Sequence, residues 1–131
     1  RAATTADTFK AALYLTSATV NASTTVYSAT GEVSGTGYTA GGVTVTNATV
    51  PAATNTSATA GVAYWTPSAS ITYTSVTLST AFDAVLIYNS TQGNKAVSVH
   101  TFGSQTITAG TFTLTMPTND TSTALLRLST T

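Results

Sequence analysis

Aliphatic residues and threonines alternate along this chain with a period of two, and that pattern most narrows its folding options. In VTVTNATV (Val43–Val50) the valines at 43 and 45 oppose the threonines at 44 and 46, and ITYTSVTL (Ile71–Leu78) repeats the device. Successive side chains of a strand point to opposite faces, so this pattern gives a strand one apolar side and one hydroxyl side. Threonine is β-branched and suits a pleated, half-buried surface. Ser and Thr make up roughly a third of the chain, while charged residues account for only 6% and hydrophobic ones for 42%. Disordered chains combine low hydrophobicity with high charge. This composition predicts instead a β-protein coated with hydroxyl groups.

The pattern divides into about nine short strands with no substantial helix. TFKAALYL (Thr8–Leu15) places Phe9, Ala11 and Leu13 on one face. Val43–Val50 ends at Pro51, and VAYWT (Val62–Thr66) is closed by Pro67. Ile71–Leu78 changes phase near Ser75, which marks a bulge. DAVLIYN (Asp83–Asn89) is a continuous apolar run and the expected central strand. It forms a hairpin with KAVSVHTF (Lys95–Phe102) across the turn STQGN. SQTIT and TFTLTMP are expected to meet at a tight turn at Ala109-Gly110, and TALLRLS (Thr123–Ser129) ends the series. The fold class expected is an antiparallel β-sandwich, jelly-roll or immunoglobulin-like, in a single domain spanning 1–131, with Thr16–Gly42 as a long irregular loop.

Composition also excludes function classes. Four cations (Arg1, Lys10, Lys95, Arg127) against four acids give a net charge of zero. That is no field for nucleic acid or for an anionic membrane surface. With no cysteine there is no disulfide and no thiolate site. Gly35-Thr36-Gly37-Tyr38-Thr39-Ala40 fits the dinucleotide pattern G-x-G-x-x-G/A, but a β-branched run follows it where a phosphate-binding helix should start. No acid stands about 20 residues on, so these glycines are read as turn and close-approach positions.

No catalytic, metal or cofactor site is expected. His100 is the only imidazole, and the one acid worth pairing with it is Asp83 on the neighbouring strand. Asp7 is read as opening the first strand and Asp120 as a turn residue. Glu32 and Asp83 are read as partners for the few cations. Tyr38, Tyr64, Trp65, Tyr73 and Tyr88 could form a carbohydrate platform. Of these, Tyr64, Trp65 and Tyr38 are the surface candidates for a ligand or partner, against the plainer reading of Trp65 as a core residue. Glycosylation sequons occur at Asn21, Asn47, Asn55, Asn89 and Asn119.

DTFKAALYLTSATVNASTTVYSATGEVSGTGYTAGG, DAVLIYNSTQGNKAVSVHTFGSQTITAGTFTLTMP and TALLRL together resemble a family of small virion structural proteins of tailed bacteriophages, with Val43–Phe82 as the divergent middle. The resemblance rests on the order and spacing of the DTFK-ALY, SGTGYTAGG and ALIYN…NKA-V motifs. It implies a non-enzymatic, all-β cement or decoration protein on the capsid exterior, bound to the major capsid protein. Three-fold positions in capsid lattices would make it a homotrimer. It also implies a further short segment before Arg1. It brings no catalytic or binding residues with it. Two other readings stand beside it: a tail appendage that binds a receptor or glycan, and an extracellular fimbrial or adhesin subunit.

Overall fold

A computed structural model describes residues 7–46, 52–54, 60–67 and 70–129. Among these residues there is no helix. There are seven strands: β1 (Phe9–Leu15), β2 (Val43–Val45), β3 (Ala52–Ala53), β4 (Val62–Trp65), β5 (Ser70–Asn89), β6 (Lys95–Thr115) and β7 (Leu126–Ser129). They form two sheets, ordered β2-β1-β5-β6 and β3-β4-β7. All the strand pairings that involve β1 or β4 are antiparallel. The all-β antiparallel class read from the alternation is therefore what the chain adopts.

The strands are fewer than nine because β5 joins the expected Ile71–Leu78 and Asp83–Asn89 strands, and β6 continues through Gly103 and the expected turn at Ala109-Gly110. Ser75 is the bulge its phase change predicts. Ser75 takes φ 54° and Ala109 takes φ 45°, both left-handed, yet β5 and β6 continue through them. The burial pattern follows the bulge: Ile71 and Tyr73 are buried before Ser75, and Val76 and Leu78 after it. An extra residue in one strand shifts its phase by one position, and this is that shift. The Ala109 amide bonds the Thr77 hydroxyl at 3.0 Å, which holds the two kinks near each other across the hairpin. Of the expected Val43–Val50 strand, Val43–Val45 is β2, and 47–50 lie outside the described residues.

The chain forms two compact units, with boundaries at Val45/Thr46, Ile71/Thr72 and Phe112/Thr113. One is built on β1, β2 and most of the β5–β6 hairpin, the other on β3, β4 and β7. In the first, β1 pairs with the end of β5 from Phe9↔Asn89 to Leu15↔Phe82. DAVLIYN is thus central, as its continuous apolar run predicts, because both of its faces are covered. On one face Ala12, Tyr14, Ala84, Leu86 and Tyr88 form a buried cluster, packed by Ala18, Val20 and Tyr27 of the loop and by Ala96 and Val99 of β6. On the other, Ala11, Leu13, Val85 and Ile87 are fully buried. Burying each larger aliphatic contributes about 1.5–3 kcal/mol.

The long hairpin bends back on its own sheet. Tyr73, near the start of β5, donates its hydroxyl to the Ala11 carbonyl of β1 at 2.8 Å. Phe112, near the end of β6, meets Phe82 edge-on at 5.1 Å between ring centres, and Phe102 lies 5.4 Å from Phe112. These ring pairs add specific geometry to the area they bury. In the second unit, the buried Thr66 hydroxyl accepts the Leu125 amide at 2.9 Å, and the Thr66 amide donates to Asn119 Oδ1 at 2.7 Å.

Candidate functional site

Among the described residues, a dense polar network surrounds Glu32, in the loop between β1 and β2. The Tyr27 hydroxyl donates to one carboxylate oxygen at 2.6 Å, and the Tyr38 hydroxyl donates to the other at 2.7 Å. The Gly41 amide adds a third bond at 2.7 Å. Tyr38 Oη in turn accepts the Leu13 amide at 3.0 Å, so it supplies a partner to a β1 backbone group beyond the end of β2. Tyr88 donates to the Gly41 carbonyl at 2.8 Å, and Tyr14 donates to the Ser28 carbonyl. Tyr27 stacks on Tyr88 at 4.6 Å between ring centres, and Tyr38 stacks on Tyr73 at 6.0 Å.

Every tyrosine except Tyr64 therefore ties the loop or the hairpin to the sheet. Burial raises the hydroxyl pKa of Tyr14, Tyr27, Tyr38, Tyr73 and Tyr88 above the ordinary value, and the charge of Glu32 adds to the rise in each case. They stay protonated and available as donors over the physiological range. Backbone bonds complete the attachment: Leu15 N–H to Gly31 O at 2.9 Å and Val33 N–H to Leu13 O at 3.0 Å. The segment expected to be irregular is irregular in its dihedrals and anchored to the sheet at several points. Glu32 pairs with hydroxyls and an amide rather than with a cation, because the hydroxyls fold in beside it. With three donors on its two oxygens, its chemistry is that of a structural acceptor.

The dinucleotide-like stretch is part of the same anchoring. Thr36 bridges to Thr77 of β5, and Thr77 N–H donates to Thr36 O at 2.9 Å. Gly37 has φ 78°, and a Cβ there would lie 2.3 Å from the Ser75 carbonyl. The glycine serves backbone approach and no phosphate cradle forms, since no helix follows.

The three surface candidates separate. Tyr38 has its hydroxyl committed on both sides. Trp65 is 8% exposed, a core residue on the plainer reading. Tyr64, on the opposite face of β4, is half-buried. Tyr64 and Trp65 do border one depression of about 310 Å³, shared with Leu126 and Leu128 of β7. Register places Trp65 opposite Leu126 and Ala63 opposite Leu128, which is 72% exposed. The opening is shallow and apolar, and the ring available to stack on a sugar is Tyr64 alone.

The remaining chemistry-bearing residues are scattered. His100 Nε2 lies 3.0 Å from Ser98 Oγ, and among the described residues no carboxylate bonds its ring. Burial lowers its pKa, which favours the neutral imidazole. Asp7 accepts from Asn89 Nδ2 at 2.9 Å and from Gln92 Nε2 at 2.8 Å, locking the start of β1 to the hairpin turn. Asp120 accepts the Ser122 and Thr123 amides, both at 2.7 Å, and these bonds lower its pKa. It is the turn residue its sequence context predicts. Among the described residues, no three His, Asp or Glu side chains gather as a metal site requires. Of the sequons, Asn89 is buried with its amide bonded to Asp7, Asn119 accepts from Thr66, Asn21 sits exposed in a turn, and Asn47 and Asn55 lie outside the described residues. Compared with known proteins, the chain matches no family model, no curated protein and no solved structure.

Proposed function

We propose that this chain is a non-enzymatic virion structural protein of a tailed bacteriophage, acting as a cement or decoration protein on the capsid exterior. Its partners in this reading are the major capsid protein and copies of itself. The supporting observation is where the resembling segments fall. All of DTFK…TAGG and most of DAVLIYN…TMP belong to the unit that holds the Glu32–tyrosine network, while the greater part of the divergent middle lies outside it. Two of the three resembling segments thus fall wholly or mostly in one body, while TALLRL falls in the other. A cement protein needs that body rigid, because each weak contact with the shell gains strength only when many are made in register. The hydroxyl surface suits the role, since few charges leave its solubility insensitive to salt.

A reconstruction of the particle tests the reading. Density for this chain on the major capsid shell is expected, and a position on the tail would overturn it in favour of the receptor- or glycan-binding appendage. That alternative counted on an aromatic platform, and of its three leading rings Trp65 is buried and Tyr38 is bonded on both sides.

A further inference from the structure

The β2-β1-β5-β6 sheet ends in two unequal edges: β2 has three residues and β6 has 21. Long edge strands are ordinarily blunted by charge, proline, early bulges or brevity, because they template further pairing. The loop covers its first residues, where Val26 bridges Lys95 and the Ala96 amide reaches Thr25 O, but beyond them β6 uses none of these. Its only full charge is Lys95 at the first position, it contains no proline, and its left-handed kink comes at Ala109.

Two bonds fix which backbone groups look outward. The Ala96 amide donates away from β5, to Thr25 O at 3.0 Å, and the Ala109 amide donates toward β5, to the Thr77 hydroxyl. Strand alternation between these points aims the N–H and C=O of Ser98, His100, Phe102, Ser104, Thr106 and Thr108 at the open edge. Among the described residues no strand pairs with β6 there.

We propose that this edge pairs with the same edge of a second copy, β6 against β6 and antiparallel, so that the chain forms a two-fold dimer through strand addition. The segment is self-compatible. Antiparallel alignment puts the two Lys95 ammonium groups at opposite ends, and no other full charge on β6 meets its like. A two-fold axis makes each contact twice from one sequence, the commonest closed symmetry. The pairing replaces the trimer that lattice positions suggest, and it does not depend on a capsid partner.

Sedimentation velocity of the purified chain over a concentration series tests this. A monomer–dimer equilibrium is expected. Ser104→Pro removes one outward N–H and leaves the ladder to β5 intact, because proline is tolerated where an edge amide faces solvent. Symmetry makes the loss double, so dimerisation should weaken about tenfold or more, with the far-UV circular dichroism unchanged. Thr106→Lys places a like charge on each copy's exposed edge without touching the backbone and should weaken it too, which decides the matter if Ser104→Pro misfolds. A wild type that stays monomeric, a trimer, a monomer that gains a strand only on mixing with another protein, or folded variants that dimerise as wild type does would overturn the proposal.

Discussion

Replacing Gly42 by alanine tests how closely the loop after Glu32 is drawn onto the sheet. Gly42 has φ 74°, and an added Cβ would sit 1.6 Å from the Ala11 carbonyl oxygen and 2.8 Å from the Ala12 Cα. Both neighbours are backbone of β1, so no side chain can swing aside. Real Cβ contacts begin near 3.0 Å, so the loop and β1 must part by more than an ångström. The next residue opens β2, whose register on β1 is Ala11↔Val43, Lys10↔Thr44 and Phe9↔Val45. Separation there sacrifices ladder hydrogen bonds at about 1 kcal/mol each. It also loosens Val45, which is 3% exposed and whose burial contributes up to about 2 kcal/mol. The left-handed backbone adds about 1 kcal/mol for any L side chain. Together these predict a loss of about 4 kcal/mol.

Gly93 supplies the control. It shares the left-handed φ, at 66°, but has nothing within 4 Å of an added Cβ, so Gly93→Ala should cost only the backbone strain, about 1 kcal/mol. Both variants gain the same reduction in unfolded-chain entropy, which cancels between them. Urea denaturation followed by far-UV circular dichroism and extrapolated linearly gives the difference directly. A gap near 3 kcal/mol is expected. If the two variants fall within about 1 kcal/mol of each other, the close approach at Ala11 is not what holds the loop, and the reasoning fails.

Three further outcomes are expected. Glu32→Ala strips the acceptor from Tyr27, Tyr38 and the Gly41 amide and should cost about 2 kcal/mol, more than Glu32→Gln, which keeps one acceptor oxygen; denaturation curves showing no loss for the alanine variant would refute the network's role. The five raised tyrosine pKa values mean that the unfolded chain ionises first, near pH 10, so the stability they confer is complete below that pH and falls as pH rises above it. Tyrosinate absorbance should then appear together with loss of the sheet signal, and ionisation of these residues with the sheet intact would contradict this. Thr66→Val leaves the Leu125 amide without its buried acceptor and should cost about 1–3 kcal/mol, read as a change in Trp65 fluorescence from the same unit.

Strand alternation was the most legible property of this chain. The phase change at Ser75 could be placed because it swaps which residues are apolar, and burial follows the swap residue by residue. The kink at Ala109 was equally visible but was expected as a turn. A left-handed residue before a glycine signals either, and only the length of ladder on both sides decides between them. Asp120 could be placed because its partners lie two and three residues away. The Glu32 network could not, because its donors come from positions 27, 38 and 41, and hydroxyl-to-carboxylate pairing leaves no spacing rule in a chain crowded with polar groups. One signal was nonetheless present: an acid in a loop with no cation nearby and tyrosines on both sides must find neutral donors or stay in water.

That same scarcity of charge connects the interior to the exposed edge. A chain with four acids and four bases cannot anchor a long loop by ion pairs, so it spends tyrosine hydroxyls on Glu32 instead. It also has few lysines to place along β6, where they would keep other strands away. The hydroxyl-rich, charge-poor composition therefore leaves the longest strand with one lysine, at its first position, to keep partners away. Adding charge along β6 should separate the two effects. The Glu32–tyrosine network lies in the loop and the sheet behind, so the fold should keep its stability while strand addition is lost.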